Sequence, residues 1–418
     1  MTAAVRFSTA LRQPVRELIE HLGSADIVVG VPSYHSGTSI VHVLETIVAG
    51  IESYYPDRKA LVVVSDGGST DDTREMASSV NPKSYHIEST VLIYRGIPGK
   101  GSGLRAVFEI ASFLKARAVA VFDSDLLSIT PAWLKSALDP VMEGYDYVAP
   151  DYNRYKLDAT ITNTIAYNLT RALYGQRIRQ PIGGDFGISP ALIKHYLNQE
   201  VWESDVAKFG IDVWMTTSAI VGGFRICQAR LGAKVHGEKD PSAELGPMFR
   251  QVVGTTFQLM EQYQDYWLRS KGSKEVPSLG EFIGQEAPPF TIDQDGLLEY
   301  FKVGFSNFGG LWKNIIEEED HKIIADLSRL PSHEQFLMPI ETWVRIVYRY
   351  AGAFRATPRQ RMKVLDTMIP LYYGRVASLV NELQDKNAQE AEGHFEAQAQ
   401  MFENMKDYMV KIWEGRKE

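Results

Sequence analysis

Cys227 is the only cysteine among 418 residues, which excludes an internal disulfide and any cluster of thiolate metal ligands. A lone thiol points to a reducing compartment, and the cytoplasm is the expected location. An excess of positive charge is also missing: 44 Lys and Arg stand against 52 Asp and Glu, a formal net charge of −8. No global field is present to hold a polyanion by counterion release, so nucleic acid is not the expected partner. No uncharged apolar run reaches the roughly 18 residues of a membrane span. Residues 1–20 lack the apolar core and small-residue cleavage site of a signal peptide, so neither export nor anchoring is expected. Internal repeats and low-complexity tracts are absent as well. The chain does have ordinary globular proportions, 44% hydrophobic, 23% charged and 11% aromatic. Its length allows two or three domains at about 100–200 residues each.

Four short apolar, β-branched stretches, Ile27 to Val31, Leu61 to Val64, Val91 to Tyr94 and Ala118 to Phe122, read as fully buried parallel strands. Between them Ser39 to Ser53, Asp71 to Ser79 and Gly103 to Lys115 carry apolar residues at helical spacing. This alternation predicts a βαβ sheet wound with right-handed crossovers. Ser69 to Asp72 give the second helix its start signal, with side chains to cap it and acids to meet its dipole. A further strand is expected at Phe224 to Ala229, with loops and late strands over the glycine-rich stretches 181–187 and 222–237. Beyond about Pro241 the spacing turns helical, at Met248 to Leu268, Leu311 to Leu327, His333 to Tyr350, Arg359 to Leu383 and Glu390 to Trp413. Ser270 to Asp295, with three prolines, is expected as a connecting loop or hinge, and the polar run Gln384 to Glu396 is expected to project into solvent. Two domains are expected, 1–255 and 256–418.

The most informative motif is Asp123-Ser124-Asp125, directly after the fourth strand. Two carboxylates at the carboxyl end of a buried parallel strand stand where open α/β sheets bind ligands. Their hard oxygens suit Mg²⁺ or Mn²⁺, which can neutralise a diphosphate leaving group. A bare D-x-D is more often a solvated turn, and its place after the strand is what favours chemistry. Ser33-Tyr34-His35-Ser36 follows the first strand, and Asp66-Gly67-Gly68 the second. Asp66 can accept hydrogen bonds from a base or ribose, although the same tripeptide makes a plain turn. Lys100 lies within Pro98-Gly99-Lys100-Gly101-Ser102-Gly103, a glycine-rich stretch opening a helix and suited to a phosphate. It is not a Walker A loop. Asp185-Phe186-Gly187 is no kinase motif, because neither the H-R-D nor the V-A-I-K partner is present. His236, one of nine histidines, would not be chosen as a ligand from spacing alone.

Taken in order, V-G-V-P-S-Y at 29–34, S-D-G-G-S-T-D-D-T at 65–73, P-G-K-G at 98–101, F-D-S-D at 122–125 and P-I-G-G-D-F-G at 181–187 resemble a GT-A glycosyltransferase with family 2-like N-terminal motifs. The set is most similar to the retaining enzymes that make glucosyl-3-phosphoglycerate, glucosylglycerate or mannosylglycerate. F-G-I-D at 209–212, the 233–236 segment, L-G-P-M-F-R-Q-V at 245–252 and R-x-x-x-D-A-x-I-T at 154–162 are also similar to stretches of those synthases. The resemblance covers roughly residues 25 to 260. It implies an α/β fold of Rossmann-like, mostly parallel sheet with flanking helices, followed by a helical C-terminal region.

The resemblance also implies site roles. Pro32, Tyr34 and Asp66 would line the nucleotide, with Ser33, His35 and Ser36 in the adjoining turn. Asp123, Ser124 and Asp125 would form the acidic motif, with Asp125 the principal metal ligand, His236 a second and Asp123 a third candidate. Lys100 would reach the diphosphate, while Gly183, Gly184 and Asp185 approach the donor sugar, where relatives carry Glu in place of Asp185. Asp212 would orient hydroxyls near the anomeric carbon. Arg154, Asp158 and Thr160 would meet the acceptor. The 3-phosphoglycerate enzymes have a glycine-rich, arginine-bearing loop there, and this chain has Lys156-Leu157-Asp158-Ala159-Thr160 instead, which leans towards unphosphorylated glycerate. The implied cofactors are Mg²⁺ or Mn²⁺ and a nucleoside-diphosphate sugar (UDP-glucose or GDP-glucose, with GDP-mannose a further option). A homodimer through the C-terminal helices is the expected assembly. Three readings compete: an inverting family 2-like transferase acting on a lipid phosphate or polysaccharide, with Asp185 or Asp212 as base; a nucleotidyltransferase; and a nucleotide-sugar binding protein without chemistry.

Overall fold

The computed structural model describes residues 7–237, 241–281 and 286–415, the side chains of 241–245 excepted. The hinge expected at 270–295 therefore lies partly outside the described residues, as does the side chain of Leu245 in the 245–252 motif. The chain divides into two compact units, each drawn from separate stretches of sequence: 1–153, 178–238 and 276–287 form unit 1, and 154–177, 239–275 and 288–418 form unit 2.

The chain begins with α1 (Gln13–Leu22), β1 (Ile27–Ser33), α2 (Ile40–Tyr54), β2 (Ala60–Asp66), α3 (Thr73–Ser79), β3 (Ile87–Ile93), α4 (Lys100–Phe113), β4 (Ala118–Val121), α5 (Pro131–Met142) and β5 (Tyr147–Asn153). A π-helical turn at Thr162–Ala166 runs into α6 (Tyr167–Tyr174), followed by β6 (Gln176–Arg177), β7 (Phe186–Ile188), α7 (Pro190–Leu197), α8 (Ile211–Val221) and β8 (Ile226–Ala233). The rest is α9 (Pro241–Gln262), α10 (Gln264–Trp267), β9 (Lys274–Glu275), β10 (Ser278–Leu279), α11 (Gln294–Trp312), α12 (Glu318–Leu327), α13 (Ile340–Ala356), α14 (Arg361–Asp366), α15 (Ile369–Leu383), α16 (Ala388–Asn404) and α17 (Lys406–Trp413).

Unit 1 is built on an eight-stranded sheet of order β10-β8-β5-β7-β4-β1-β2-β3. Every neighbouring pair is parallel except the two made by β7, which runs antiparallel to β4 and β5. The fold is thus the expected Rossmann-like α/β sheet. Val28, Val29 and Val31 of β1, Val62, Val63 and Val64 of β2 and all of β4 have 1% exposure or less, because helices cover both faces of the central strands. The third strand departs from expectation. Only Ile87 and Leu92 of β3 are buried, since it pairs with β2 alone and forms the sheet edge. Two further shifts matter for the site. The helix expected from Gly103 starts three residues earlier, so Lys100 opens α4, and α3 starts without the expected Ser69 cap, because Ser69 bonds Asp66.

Unit 2 is helical, as expected for the C-terminal part, but it also takes in residues 154–177. The physical reason is burial: all eight residues of α6 are buried. Arg171 on this helix bonds Glu396 at 2.6 Å, Glu403 at 2.9 Å and Gln400 at 2.7 Å, and Trp343 donates its indole N–H to the Thr164 carbonyl. A single cut after residue 255 would divide this core. Several expected helices are broken. Leu311 to Leu327 spans the end of α11 and all of α12, whose start is marked by Glu318, Glu319 and Asp320 at a dipole-favoured N-terminus. Arg359 to Leu383 breaks before α15, where Pro370 sits in the first turn. α11 itself begins at the end of the expected 270–295 loop and has no counterpart in the pattern. The polar run 384–396 does not project into solvent as a whole, because Ala391 and Phe395 of α16 are buried. No described helix is long and apolar enough to cross a membrane.

Candidate active site

β1 and β2 end side by side, with Ser33 in register with Asp66. Asp66 is fully buried and its carboxylate is used locally. One oxygen accepts from the backbone N–H of Gly68 (2.8 Å) and Ser69 (2.7 Å), the other from the hydroxyls of Ser33 (3.0 Å) and Ser69 (2.6 Å). Asp66 thereby fixes the turn that follows β2. The Ser69 hydroxyl also accepts from the backbone N–H of His35, whose φ of 50° is a left-handed conformation. The result is a stacked pair, Tyr34 on His35 with ring centroids 4.0 Å apart, and Tyr34 is 60% exposed. An exposed aromatic face on a rigid turn is a surface for a flat ring. Pro32 is half-buried. Ser36 shares a 2.7 Å hydroxyl bond with Ser124, and Ser39 donates to the Ser124 carbonyl. Ser124 therefore ties the first loop to the acidic motif.

That motif sits amid an acid–lysine cluster. Lys100, at the first position of α4, places its ammonium 2.8 Å from one Asp123 oxygen and 3.0 Å from Asp212. Lys234, one residue past β8, reaches the other Asp123 oxygen (3.0 Å), Asp185 (2.8 Å) and the Gly183 carbonyl (2.8 Å). Asp185 also accepts from the Asp123 backbone N–H at 2.8 Å and from the Tyr152 hydroxyl. Burial would lower the Lys100 ammonium, yet Asp123 and Asp212 outweigh it and hold it above the ordinary lysine range. Burial would likewise raise Asp123, and the two lysines hold it well below the carboxylate range. For Asp185 and Asp212 burial prevails and the carboxyls are raised, against the pull of Lys234 and Lys100 respectively. One oxygen of Asp212 is buried with no hydrogen-bond partner among the described residues. Gly184 has φ +94°, and a Cβ there would lie 2.2 Å from an Asp123 oxygen; only glycine lets this loop lie on the acidic turn.

The expected metal ligands separate into two groups. Both oxygens of Asp123 face ammonium groups, of Lys100 and Lys234. Asp125 and His236 are brought to one place by backbone pairing: Leu126 bridges His236, Leu127 donates to Val235 at 2.9 Å and Gly237 donates to the Asp125 carbonyl at 3.4 Å. Among the described residues no group of three His, Cys, Asp or Glu converges as a ready metal cage. A carboxylate and an imidazole carried on paired backbone segments are donors that suit a Mg²⁺ or Mn²⁺ ion taking its remaining ligands from phosphate and water.

The acceptor candidates belong to unit 2. Arg154 pairs with Asp158 at 2.7 Å, Thr160 shares a hydroxyl bond with Tyr372, and Lys156 donates to the carbonyls of Leu383, Gln384 and Lys386 at the end of α15. The residues that sequence reasoning left without a role are Lys234 and Tyr152. A lysine just after an apolar strand reads as a solvated end, and only its place in the 233–236 segment marks it.

Residues 28–202 match the family model described as glycosyl transferase family 2. Glucosyl-3-phosphoglycerate synthase of Mycolicibacterium paratuberculosis is 26% identical over 232 residues, half of this chain and 67% of that relative. The Mycobacterium tuberculosis synthase is 27% identical over 231 residues, with 68% of its length covered. Glycosyltransferase AglJ of Haloferax volcanii is 37% identical over 108 residues, 26% of this chain and 32% of that protein. A solved structure of the Mycobacterium tuberculosis synthase with Mn²⁺, UDP-glucose and phosphoglyceric acid aligns with 60% of this chain and 87% of its own, at 22% identity and a TM-score of 0.44. Its complex with Mg²⁺ and UDP aligns over 60% and 85%, again at 22% and 0.44. The chain thus matches glycosyl transferase family 2 over residues 28–202 and is similar to those synthases.

Proposed function

We propose that this protein transfers a hexose from a nucleoside-diphosphate sugar to D-glycerate or 3-phosphoglycerate, with retention at the anomeric carbon and with Mg²⁺ or Mn²⁺ as cofactor. The observation that carries the reading is the backbone bridge that sets Asp125 against the His236 turn just past the carboxyl end of β4. In this reading Tyr34 stacks on the base and the Asp66-fixed turn holds the nucleoside. Two of the three Lys100 protons face Asp123 and Asp212, leaving one for a phosphate oxygen. The unpartnered Asp212 oxygen accepts from a sugar hydroxyl, and the Gly183–Gly184 backbone gives the sugar close approach. A divalent ion on Asp125 and His236, when bound, supplies positive charge for the departing diphosphate.

The bond from the anomeric carbon to the leaving phosphate oxygen breaks as the acceptor hydroxyl oxygen bonds the same face. The proton of that hydroxyl passes to a leaving phosphate oxygen, so the products are the glycoside and a nucleoside diphosphate. Proximity supplies much of the remaining rate. The engagement of Arg154 by Asp158 and of Lys156 by carbonyls supports the unphosphorylated acceptor.

The test crosses UDP- and GDP-linked glucose and mannose with D-glycerate and 3-phosphoglycerate in Mg²⁺ or Mn²⁺, reading nucleoside diphosphate release and the product's anomeric proton by NMR. Acceptor-dependent release with an α-linked product is expected. Release of pyrophosphate, or a grid with no acceptor dependence, overturns the reading. Asp125→Ala should lower kcat/KM by about 100-fold or more with the unfolding midpoint unchanged; normal turnover would remove the metal assignment.

A further inference from the structure

Lys234 is the least expected member of the cluster. Its side chain is 4% exposed, and its ammonium makes a 3.0 Å bond to Asp123, a 2.8 Å bond to the Gly183 carbonyl and a 2.8 Å bond to Asp185. It lies 5.0 Å from the centre of the Tyr152 ring, over its face, while the Tyr152 hydroxyl donates to Asp185. These contacts come from segments at the ends of four adjacent strands: Lys234 after β8, Tyr152 in β5, the 183–185 loop before β7 and Asp123 after β4. A buried ammonium is costly unless each proton is matched, and matched it holds its partners through charge-assisted bonds that are shorter and stronger than neutral ones. Removing it would leave the carboxylates of Asp123 and Asp185 buried on one side of the cluster with the Gly183 carbonyl unbonded. The backbone pairing of β7 covers only 186–188, so 183–185 is tied to the acidic turn by the Asp123 N–H bond to Asp185 and by this ammonium.

We propose that Lys234 is a positioning residue whose ammonium cross-links the acidic turn at Asp123 to the Gly183–Asp185 loop, holding the donor-sugar side of the site in place before a cation or nucleotide arrives. This rests on the glycosyl-transfer reading for its substrate, and not for the link itself. The nucleoside turn at Tyr34 and Asp66 makes none of these bonds, so the lysine acts on the sugar half of the donor.

The experiment uses the full chain, Lys234→Met and Lys234→Arg. Backbone hydrogen exchange of the peptide spanning 180–188 is read in the metal-free protein, and affinities for UDP and UDP-glucose are read by calorimetry in Mn²⁺. Lys234→Met should speed exchange of that peptide by about tenfold or more. It should weaken UDP-glucose about tenfold while UDP changes less than about threefold, and lower kcat more than it raises KM. Lys234→Arg, which keeps the charge and several donors, should recover most of both effects. Unchanged exchange in Lys234→Met overturns the link, and so does an equal loss of UDP and UDP-glucose affinity. Where Lys234→Met does not fold, Lys234→Gln, which loses the charge and one of the three donors, takes its place, with faster exchange of 180–188 expected and unchanged exchange overturning the link. Fast exchange in a protein that binds no sugar nucleotide of the grid keeps the link and refutes the glycosyl-transfer reading instead.

Discussion

Asp66 and Gly184 show how single residues shape the turns of the site. Four hydrogen bonds converge on the Asp66 carboxylate. Asp66→Asn keeps the oxygen that serves the Gly68 and Ser69 amides, and the two serine hydroxyls can rotate to accept. Its expected cost is under about 1 kcal/mol, whereas Asp66→Ala leaves buried donors without partners and should cost about 2–4 kcal/mol. Urea unfolding of both variants checks this, and donor KM should follow stability of the turn, rising in the alanine variant only. Gly184→Ala faces both a positive φ and an Asp123 oxygen 2.2 Å from the new Cβ, so a loss of about 2 kcal/mol or more and of nearly all turnover is expected. The motif positions of these residues were legible in the sequence because Asp-Gly-Gly and Gly-Gly-Asp are short-range signals. Their bonding was not. Whether a carboxylate faces a ligand or its own turn depends on the strand beside it, here on Ser33 of β1.

Among the elements, the central strands and their helices were legible because burial on both faces leaves an unbroken apolar run. The edge strand β3 was legible only in its last three residues, 91–93, and helix α11 only at its end. β3 has one neighbour and so mixed burial, and α11 carries four glycines, at 296, 304, 309 and 310, that dilute helical propensity. Its capping aspartate, Asp293, which accepts from the Gly296 N–H at 2.9 Å, was the signal available. Within α15 and α16 a buried ionic group lends itself to measurement. Glu382 is flanked by Arg375, which is fully buried, and by His394 at 2.8 Å. Burial would raise its carboxyl, but the bonds from His394, Arg375 and Ser378 outweigh it and lower it to about 2 from an ordinary 4.5. A depressed acid gives stability that is present above the unfolded value and lost as pH falls towards the folded one. Between pH 4.5 and about 2 the wild type should lose roughly 3 kcal/mol that Glu382→Gln does not lose, read from paired unfolding curves across that window.

At the scale of the whole molecule, the two units interleave along the sequence, and this gives a direct test. A protein cut after residue 255 keeps α6 but lacks Glu396, Gln400, Glu403 and Trp343, which serve Arg171 and Thr164, and it lacks the β10 strand beside β8. It should express as an insoluble or dye-binding, poorly folded species, where circular dichroism and thermal unfolding of the full chain show a cooperative fold. A well-folded 1–255 fragment would contradict the division. The sequence by itself determined the central parallel strands β1, β2 and β4, the order of their motifs and the residues at their carboxyl ends, because strand burial and glycine-bearing turns are local properties that leave a local pattern. Only the tertiary structure decided that Asp123 answers to Lys100 and Lys234, that Asp125 lies against the His236 turn, and that 154–177 belongs with the C-terminal helices. Each of those pairings joins residues tens to hundreds of positions apart, and a charge or an apolar face carries no mark in the sequence of which distant partner will neutralise or cover it.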